Sequence, residues 1–166
     1  MEIRRLRKDD SVLLRDVRLR ALQDAPYAFS SWFEREADYA PGVWDDRVTE
    51  SDSGQNGAVF VAVEHGRCLG IAGGYFTAKE RETAMLWGMW VDPSARRRGL
   101  GRELVEAVAA WARHCGARRL RLAVTDCDAS RPAASLYRGL GFVETGEREE
   151  LASDPSLIVL VMLCSL

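Results

Sequence analysis

A run of small and basic residues, placed between an apolar segment and an amphipathic one, most constrains how this chain folds. The run from Met89 to Arg102 reads Met-Trp-Val-Asp-Pro-Ser-Ala-Arg-Arg-Arg-Gly-Leu-Gly-Arg. After it, apolar residues recur at three- and four-residue spacing, which predicts a helix over residues 99–115. The segment therefore predicts a strand, a glycine loop and a helix start in immediate succession.

The predicted helix start at Gly99 and Gly101 is suited to binding an anion. A helix N-terminus presents backbone N–H groups without partners and carries a partial positive charge. Glycine lets the backbone approach a ligand closely and adopt positive φ. These properties predict a cradle for a pyrophosphate. The loop matches neither Gly-x-x-x-x-Gly-Lys-Ser/Thr nor Gly-x-Gly-x-x-Gly, because it lacks the lysine of the first and the third glycine of the second.

Two blocks of the sequence resemble the GNAT superfamily of N-acetyltransferases. The first, Arg-x-x-Gly-x-Gly at residues 96–101 after a strand that ends Val-x-Pro, is similar to the acetyl-CoA signature of that family. The second, Ser-Arg-Pro-Ala-Ala-Ser-Leu-Tyr-Arg-Gly-Leu-Gly-Phe at residues 130–142, resembles its later motif Asn-x-x-Ala-x-x-Leu-Tyr-x-x-x-Gly-Phe. The blocks stand in the family's order, and the resemblance is close over residues 59–143.

The order of elements predicted from the pattern is βααβββαβαββ, an α/β arrangement that the resemblance also implies. A first strand is predicted over residues 3–8, and Asp9, Asp10 and Ser11 offer oxygens to cap the helix after it, whose apolar residues include Val12, Leu13 and Val17. A second helical region runs from about residue 30 into the forties, and a loop over 51–57 follows. The later strands are predicted at 58–64, 69–77, 83–91, 119–124, 142–149 and 157–164, with a short helix over 130–138 and a last turn at Asp154-Pro155.

Two features of the sheet are predicted within this order. Gly88, inside the long strand, indicates a bulge or a close backbone approach. The strand at 119–124 should lie parallel to that long strand, because a whole helix connects the two. The resemblance implies a mixed, mostly antiparallel sheet that is splayed between its fourth and fifth strands.

Composition favours one soluble domain over residues 1–166. The net charge of −2 argues against nucleic acid as a partner, and no apolar run is long enough to span a membrane. The start Met-Glu-Ile-Arg-Arg has no apolar region typical of a secretory signal. The four cysteines form no Cys-x-x-Cys pair, so we expect reduced thiols in a cytoplasmic protein and no metal site.

The resemblance implies acetyl-CoA as cosubstrate. It places the main chain of residues 89–91 beside the acetyl group and the pantetheine arm, and residues 97–102 around the pyrophosphate. The residues expected to contact the cofactor are Met89, Trp90, Val91, Arg96, Arg97, Arg98, Gly99, Leu100, Gly101, Arg102 and Ser130. The arginine triplet is either a solvated basic face or a neutralising group for the phosphates, and the sequence does not choose which of its side chains touches phosphate.

Tyr137 is the candidate general acid, since the tyrosine of the Leu-Tyr pair often has this role in the family. A phenol has an unperturbed pKa of about 10, which suits it to protonate a leaving thiolate. The alternative is a core tyrosine packed beside Leu136 and Leu140. Ser130 stands where the family has asparagine, so its contact with the cofactor arm is either water-mediated or absent, while its hydroxyl can cap the following helix.

The sequence does not identify the general base or the acceptor amine. The positions where many family members carry a glutamate hold Met85 and Ala123, which cannot accept a proton. A water chain, Glu34 or Glu36 could serve instead, or no base is needed. Acidic residues of the second helical region form either a rim that favours a cationic amine or a solvated helix face. Neither histidine of the chain is expected to act.

The leading hypothesis is an N-acetyltransferase that acts on a primary amine of a protein, a polyamine, an aminoglycoside-like antibiotic or an amino-acid derivative. The alternative is a GNAT-like module that binds acyl-CoA without turnover. Nucleic-acid binding through the arginine clusters is a poorer hypothesis, because no aromatic residues interleave with the basic run. A homodimer is left open.

Overall fold

The computed structural model describes residues 1–166, and one seven-stranded sheet runs through them. The strands are β1 (Glu2–Arg5), β2 (Gly57–Glu64), β3 (Arg67–Thr77), β4 (Glu80–Val91), β5 (Arg119–Thr125), β6 (Val143–Leu151) and β7 (Asp154–Ser165). The helices are α1 (Ser11–Asp24), α2 (Phe33–Ala37), α3 (Pro41–Ser53), α4 (Leu100–His114) and α5 (Arg131–Gly139). The strands lie in the order β1-β2-β3-β4-β5-β7-β6, and only β4 and β5 are parallel. The predicted mixed, mostly antiparallel sheet is confirmed.

β4 and β5 separate after a short stretch of pairing. Three residue pairs join them, and the last is Met85 with Arg121. Beyond this pair β4 continues to Val91 and β5 to Thr125, and the two strands no longer pair. This opening is the splay expected between the fourth and fifth strands.

β4 is bulged at Gly88. Ile71 of β3 pairs with Trp90, and Gly73 pairs with Trp87, so β4 has one residue more than β3 between the two pairs. Gly88 has a φ of +65°, which a glycine adopts without the strain that a side chain would cause. The predicted bulge is confirmed, and it lies beside the splay.

Helices cover both faces of the sheet. α4 packs over β2, β3 and β4 on one face, while α1 and α3 pack on the other. The buried side of α1 consists of Leu14, Val17, Arg18, Ala21 and Leu22, which follow the helical spacing of an apolar stripe. Arg18 therefore occupies a position on the buried face of α1 that is otherwise apolar. None of the helices is both long and apolar enough to cross a lipid bilayer.

Several local predictions near the N-terminus are wrong. Val12, named among the apolar residues of the first helix, is 81% exposed. Asp10 does not cap α1 through its side chain, because its carboxylate accepts hydrogen bonds from the Arg4 guanidinium at 2.6 and 2.8 Å and from the N–H of Arg7. β1 ends at Arg5, three residues earlier than predicted.

Two predicted connections also differ. The second helical region forms two helices, and α3 continues to Ser53 inside the predicted loop. It ends there because Gly54, with a φ of +66°, supplies the left-handed position that terminates many helices. The last hairpin turns at residues 152–153, so that Asp154 and Pro155 belong to β7.

Candidate active site

The opening between β4 and β5 forms a cleft of about 780 Å³. Its walls are residues 86–91 of β4, residues 122–125 of β5, and the loop and helix start at 95–97 and 99–102. Residues from the start of α5 line it on the side of α4, and residues that follow α1 line it on the other side. The cleft is thus reached from both faces of the sheet.

Asp92 fixes the start of the glycine loop. Its carboxylate accepts hydrogen bonds from Arg20 at 2.8 Å, from Arg67 at 3.0 Å, and from the N–H and hydroxyl of Ser94 at 3.0 and 2.6 Å. Burial alone would raise the pKa of Asp92, but the bonds from Ser94 and the two arginine charges outweigh it and lower that pKa. The ionised carboxylate holds the short 3₁₀ turn Pro93–Ala95 from which the loop departs.

The first turn of α4 has the geometry expected of an anion cradle. Arg97 and Gly99 adopt positive φ, +62° and +86°. No side chain caps the helix, and its first three residues, Leu100, Gly101 and Arg102, line the cleft. Unpartnered N–H groups at a helix start are the donors that a pyrophosphate binds. The residues present therefore fit the pyrophosphate of the cofactor that the resemblance implies.

The three arginines of the triplet have different environments. Arg96 forms an ion pair with Asp24, and Arg98 forms one with Glu64 at 2.8 Å. Arg97 has no ion pair or hydrogen bond from its side chain, and it lines the cleft. Arg98 is the one residue of the expected cofactor set that does not line the cleft. Of the three side chains, Arg97 is thus the one available to a phosphate.

Gly101 is needed where α4, α5 and β4 approach one another. A Cβ at this position would lie 2.9 Å from Cδ2 of Leu136 and 3.0 Å from Cε of Met89. Both of these side chains line the cleft. A larger residue at position 101 would therefore displace the cleft walls.

The end of β4 presents alternate side chains to the two faces of the sheet. Met89 and Val91 pack with the core under α4. Trp90 packs with the core under α1, and its indole nitrogen bonds the Asp24 carboxylate. Trp90 can therefore contribute to the cofactor side of the cleft through its main chain only.

Tyr137 is both a core residue and a cleft residue. It is 6% exposed and packs edge-on against Phe142, with 5.8 Å between ring centroids. Its hydroxyl has no hydrogen bond to another protein group, and the residue lines the cleft. Burial raises the pKa of the phenol well above its ordinary value, so the hydroxyl stays protonated. A protonated phenol can donate a proton but cannot accept one.

Ser130 lines the cleft but does not cap α5. Its backbone is already helical, with φ −88° and ψ −7°, whereas a capping residue needs an extended backbone. Its buried hydroxyl lies 3.4 Å from the sulfur of Cys127. The prediction that Ser130 caps the helix is wrong.

No aspartate or glutamate lines the cleft, and Ala123, which does line it, cannot accept a proton. Glu36, one of the suggested bases, is 2% exposed and accepts hydrogen bonds from Arg18 at 2.8 and 3.0 Å and from Arg47 at 3.2 Å. Burial alone would raise the pKa of Glu36, but the two arginines outweigh it and lower that pKa. Glu36 is therefore a fixed counter-ion, and the expectation of an acidic rim is wrong at this residue. Glu34 is exposed and does not line the cleft.

Sequence reasoning missed the part of the cleft next to α1. Ala25, Tyr27 and Ala28 line it, and none of them belongs to a predicted motif. It also missed the buried Arg18, which reaches toward this part. The burial of Arg18 could have been predicted, since residue 18 follows the same helical spacing as the buried residues Leu14 and Leu22.

Comparisons with known proteins agree with this architecture. A family model described as the acetyltransferase (GNAT) family matches residues 19–142. An acetyltransferase of the GNAT family from Streptococcus pneumoniae is 22% identical, with 99% of each chain covered and a TM-score of 0.79. A ribosomal-protein-alanine N-acetyltransferase from Brucella melitensis is 21% identical, with 100% of each chain covered and a TM-score of 0.78.

A third solved structure was determined with a ligand. PaiA N-acetyltransferase from Thermoplasma acidophilum, in complex with coenzyme A, is 19% identical, with 99% of this chain and 98% of that chain covered and a TM-score of 0.77. At sequence identities of 19–22%, the similarity to these three structures establishes the fold of the chain and nothing further. No curated protein matches the chain.

Proposed function

The chain belongs to the GNAT acetyltransferase family, and we propose that it transfers the acetyl group of acetyl-CoA to a primary amine by direct attack. The observation that carries this proposal is the position of Tyr137. A buried, protonated phenol without a hydrogen-bond partner lines the same cleft as the uncapped start of α4. An acid group and an anion cradle in one cleft suit transfer from a phosphate-bearing thioester.

Acetyl-CoA, when bound, supplies the thioester. We propose that the N–H groups at the start of α4 and the free guanidinium of Arg97 hold its pyrophosphate, and that the main chain at the end of β4 holds its arm. The residues proposed to contact it are Met89, Trp90, Val91, Arg96, Arg97, Gly99, Leu100, Gly101, Arg102 and Ser130. Arg98 is left out of this set, because it does not line the cleft and its side chain pairs with Glu64.

Tyr137 holds the proton that the reaction needs on the leaving sulfur. The acceptor nitrogen forms a bond to the acetyl carbon while the carbon–sulfur bond breaks. The phenol donates its proton to the sulfur. The acceptor nitrogen loses a proton to water, and the phenolate takes a proton from water in turn. Backbone N–H groups at the bulge around Gly88 are not all used by the sheet and can stabilise charge that develops on the acetyl oxygen.

The absence of a carboxylate in the cleft favours a second candidate, a module that binds acyl-CoA without turnover. Acetyl transfer without a carboxylate base requires an amine that arrives neutral or loses its proton to water. Acetyl-CoA-dependent release of thiol, measured with a panel of primary amines, separates the two functions. We also propose one domain over residues 1–166 and a cytoplasmic location, which the four free cysteines favour.

A further inference from the structure

We propose that Arg18 binds a carboxylate of the acceptor, so that α-amino acids are preferred over amines that lack an acid group. The proposal deepens the acetyl transfer proposed above and rests on it. It concerns the part of the cleft next to α1, on the opposite side of the sheet from the glycine loop.

Arg18 has an unused donor in a buried position. The residue is 7% exposed, and its Nε and Nη2 donate to Glu36 at 3.0 and 2.8 Å. Its remaining nitrogen, Nη1, is buried and has no hydrogen-bond partner. Buried polar groups nearly always have a partner, so the N–H groups of Nη1 are available to an acceptor atom that the rest of the chain does not supply.

The free nitrogen is directed at the bulge of β4. A Cβ at Gly88 would lie 3.8 Å from Nη1, and Gly88 lines the cleft. Because this residue is a glycine, no side chain separates Nη1 from the bulge. The guanidinium packs against the rings of Phe29 and Trp87, at 4.8 and 5.9 Å from their centroids. Arg18 is not itself a lining residue, but its Nη1 lies next to Gly88, which forms part of the cleft wall on the side of α1.

The charges around this position favour an anion. Arg18 and Arg47 share the single carboxylate of Glu36, so the cluster carries one excess positive charge. Arg47 lies on the far side of Glu36, in a second pocket that Glu50 also lines, whereas Arg18 is next to Gly88 in the wall of a cleft that no aspartate or glutamate lines. Charge interactions are stronger in a buried site than in water, so this cluster attracts a carboxylate and repels an additional ammonium group. Guanidinium N–H groups and carboxylate oxygens form strong, charge-assisted hydrogen bonds.

The position of the carboxylate on the acceptor follows from the same geometry. The acceptor nitrogen must reach the acetyl group at the bulge, and Nη1 lies beside the bulge. The amine and the acid group must therefore be close in the acceptor, as they are when both are bonded to one carbon atom.

Matched acceptors test the proposal. The pairs are alanine and ethylamine, leucine and 3-methylbutylamine, and phenylalanine and 2-phenylethylamine, with each amino acid also supplied as its carboxamide. We expect kcat/KM to be roughly tenfold or more higher for the acid than for the amine or the carboxamide, as is typical of losing a hydrogen bond to a charged group.

Variants test whether Arg18 causes the preference for acceptors that carry a carboxylate. Removing Arg18 alone would leave Glu36 buried and without its main partner, so the test variant is the double replacement Arg18→Met with Glu36→Met, checked by thermal unfolding. Its matched control is Arg15→Met, which removes an exposed arginine from the same helix. We expect the double variant to lose the preference for acids and the control to retain it.

Three results would overturn the proposal: equal kcat/KM for acid and amine in the parent, equal kcat/KM for acid and carboxamide, or a preference that survives in the double variant. If no amine is acetylated, the proposed transfer itself fails, and calorimetry in the presence of coenzyme A decides the role of Arg18. Leucine binding in the parent that is lost in the double variant would support it. Equal binding of leucine and 3-methylbutylamine would refute it.

Discussion

The indole nitrogen of Trp90 donates a hydrogen bond to the carboxylate of Asp24 at 2.8 Å. Asp24 is the last residue of α1, and the same carboxylate pairs with Arg96 of the glycine loop. The helix that carries Arg18 is thereby fastened to both the end of β4 and the loop proposed to hold the pyrophosphate. One carboxylate thus joins α1, the end of β4 and the glycine loop.

Replacing Arg97 should weaken cofactor binding more than replacing Arg98. Arg97→Ala removes the one guanidinium of the triplet that is free to bind phosphate, and we expect the Kd for acetyl-CoA to rise about tenfold. Arg98→Ala is the matched control, because Arg98 already pairs with Glu64, and its Kd should change by no more than about twofold. Calorimetry at two salt concentrations measures both. Equal Kd values for the two variants would contradict the assignment of phosphate contact to Arg97.

A side chain at Gly101 should prevent cofactor binding. Gly101→Val would place methyl groups against Leu136 and Met89, which line the cleft beside the start of α4. We expect affinity for acetyl-CoA to fall by at least about a hundredfold, with loss of the thermal stabilisation that a bound ligand gives. Gly42→Ala is a suitable control, since a Cβ there would meet no atom within 4 Å. A folded Gly101→Val protein with unchanged affinity would show that the cradle is misassigned.

Loss of the Glu36 charge should destabilise the fold, in contrast to the same change at Glu34. Glu36→Gln leaves Arg18 buried without its counter-ion, a change that typically costs about 3–5 kcal/mol in the free energy of unfolding. Glu34→Gln removes an exposed carboxylate and should change it by less than about 0.5 kcal/mol. Denaturant unfolding measures both values. Equal unfolding free energies would mean that the buried ion pair contributes nothing to stability.

The same pair predicts a dependence of stability on pH. The pKa of Glu36 is lowered from its ordinary value of 4.5 in the folded chain, so the unfolded chain takes up its proton first as pH falls. The contribution of Glu36 is therefore complete above about pH 4.5 and decreases as pH falls toward the lower, folded-state pKa. Glu36→Gln should lose this part of the acid sensitivity.

Tyr137→Phe tests the proposed general acid. The change removes the hydroxyl and keeps the ring that packs against Phe142, so stability and acetyl-CoA affinity should be nearly unchanged. We expect kcat to fall by roughly 10²–10⁴-fold, the usual worth of general acid assistance. Since burial raises the pKa of Tyr137, the parent should show no loss of kcat from ionisation of this phenol up to pH 10, a range where more of the amine is neutral.

A kcat for Tyr137→Phe within about twofold of the parent would reduce Tyr137 to a packing residue. No activity in the parent with any amine, despite tight cofactor binding, would favour the binding module. Parallel measurements of acetyl-CoA affinity distinguish a lost proton donor from a lost cofactor site.

The features predicted correctly from the sequence depend on residues that are close together along the chain. Gly99 and Gly101 mark the helix start, and Gly88 marks the bulge, because the backbone conformation is encoded where it occurs. The family resemblance supplied the splay. That residues 1–166 form one domain stays a prediction.

The features that the sequence did not reveal depend on partners far along the chain. Glu36 pairs with Arg18 across 18 positions, and Arg98 pairs with Glu64 across 34. A helix cap was predicted at Asp10 because its oxygen is close in sequence to the N–H groups of α1, but Arg4 binds it instead. Short-range preference for a residue type cannot decide between two such partners.

The three residue pairs between β4 and β5 divide the sheet into two leaves joined by a short seam. One leaf contains β1 to β4, and the other contains β5 to β7. A small rotation about the seam becomes a larger displacement at the open ends of the strands. A molecule seated in the opening touches both leaves and restrains that rotation, so amide hydrogen exchange should slow in both leaves at once when it binds. In such a sheet the ligand takes the structural place of the missing strand pairing.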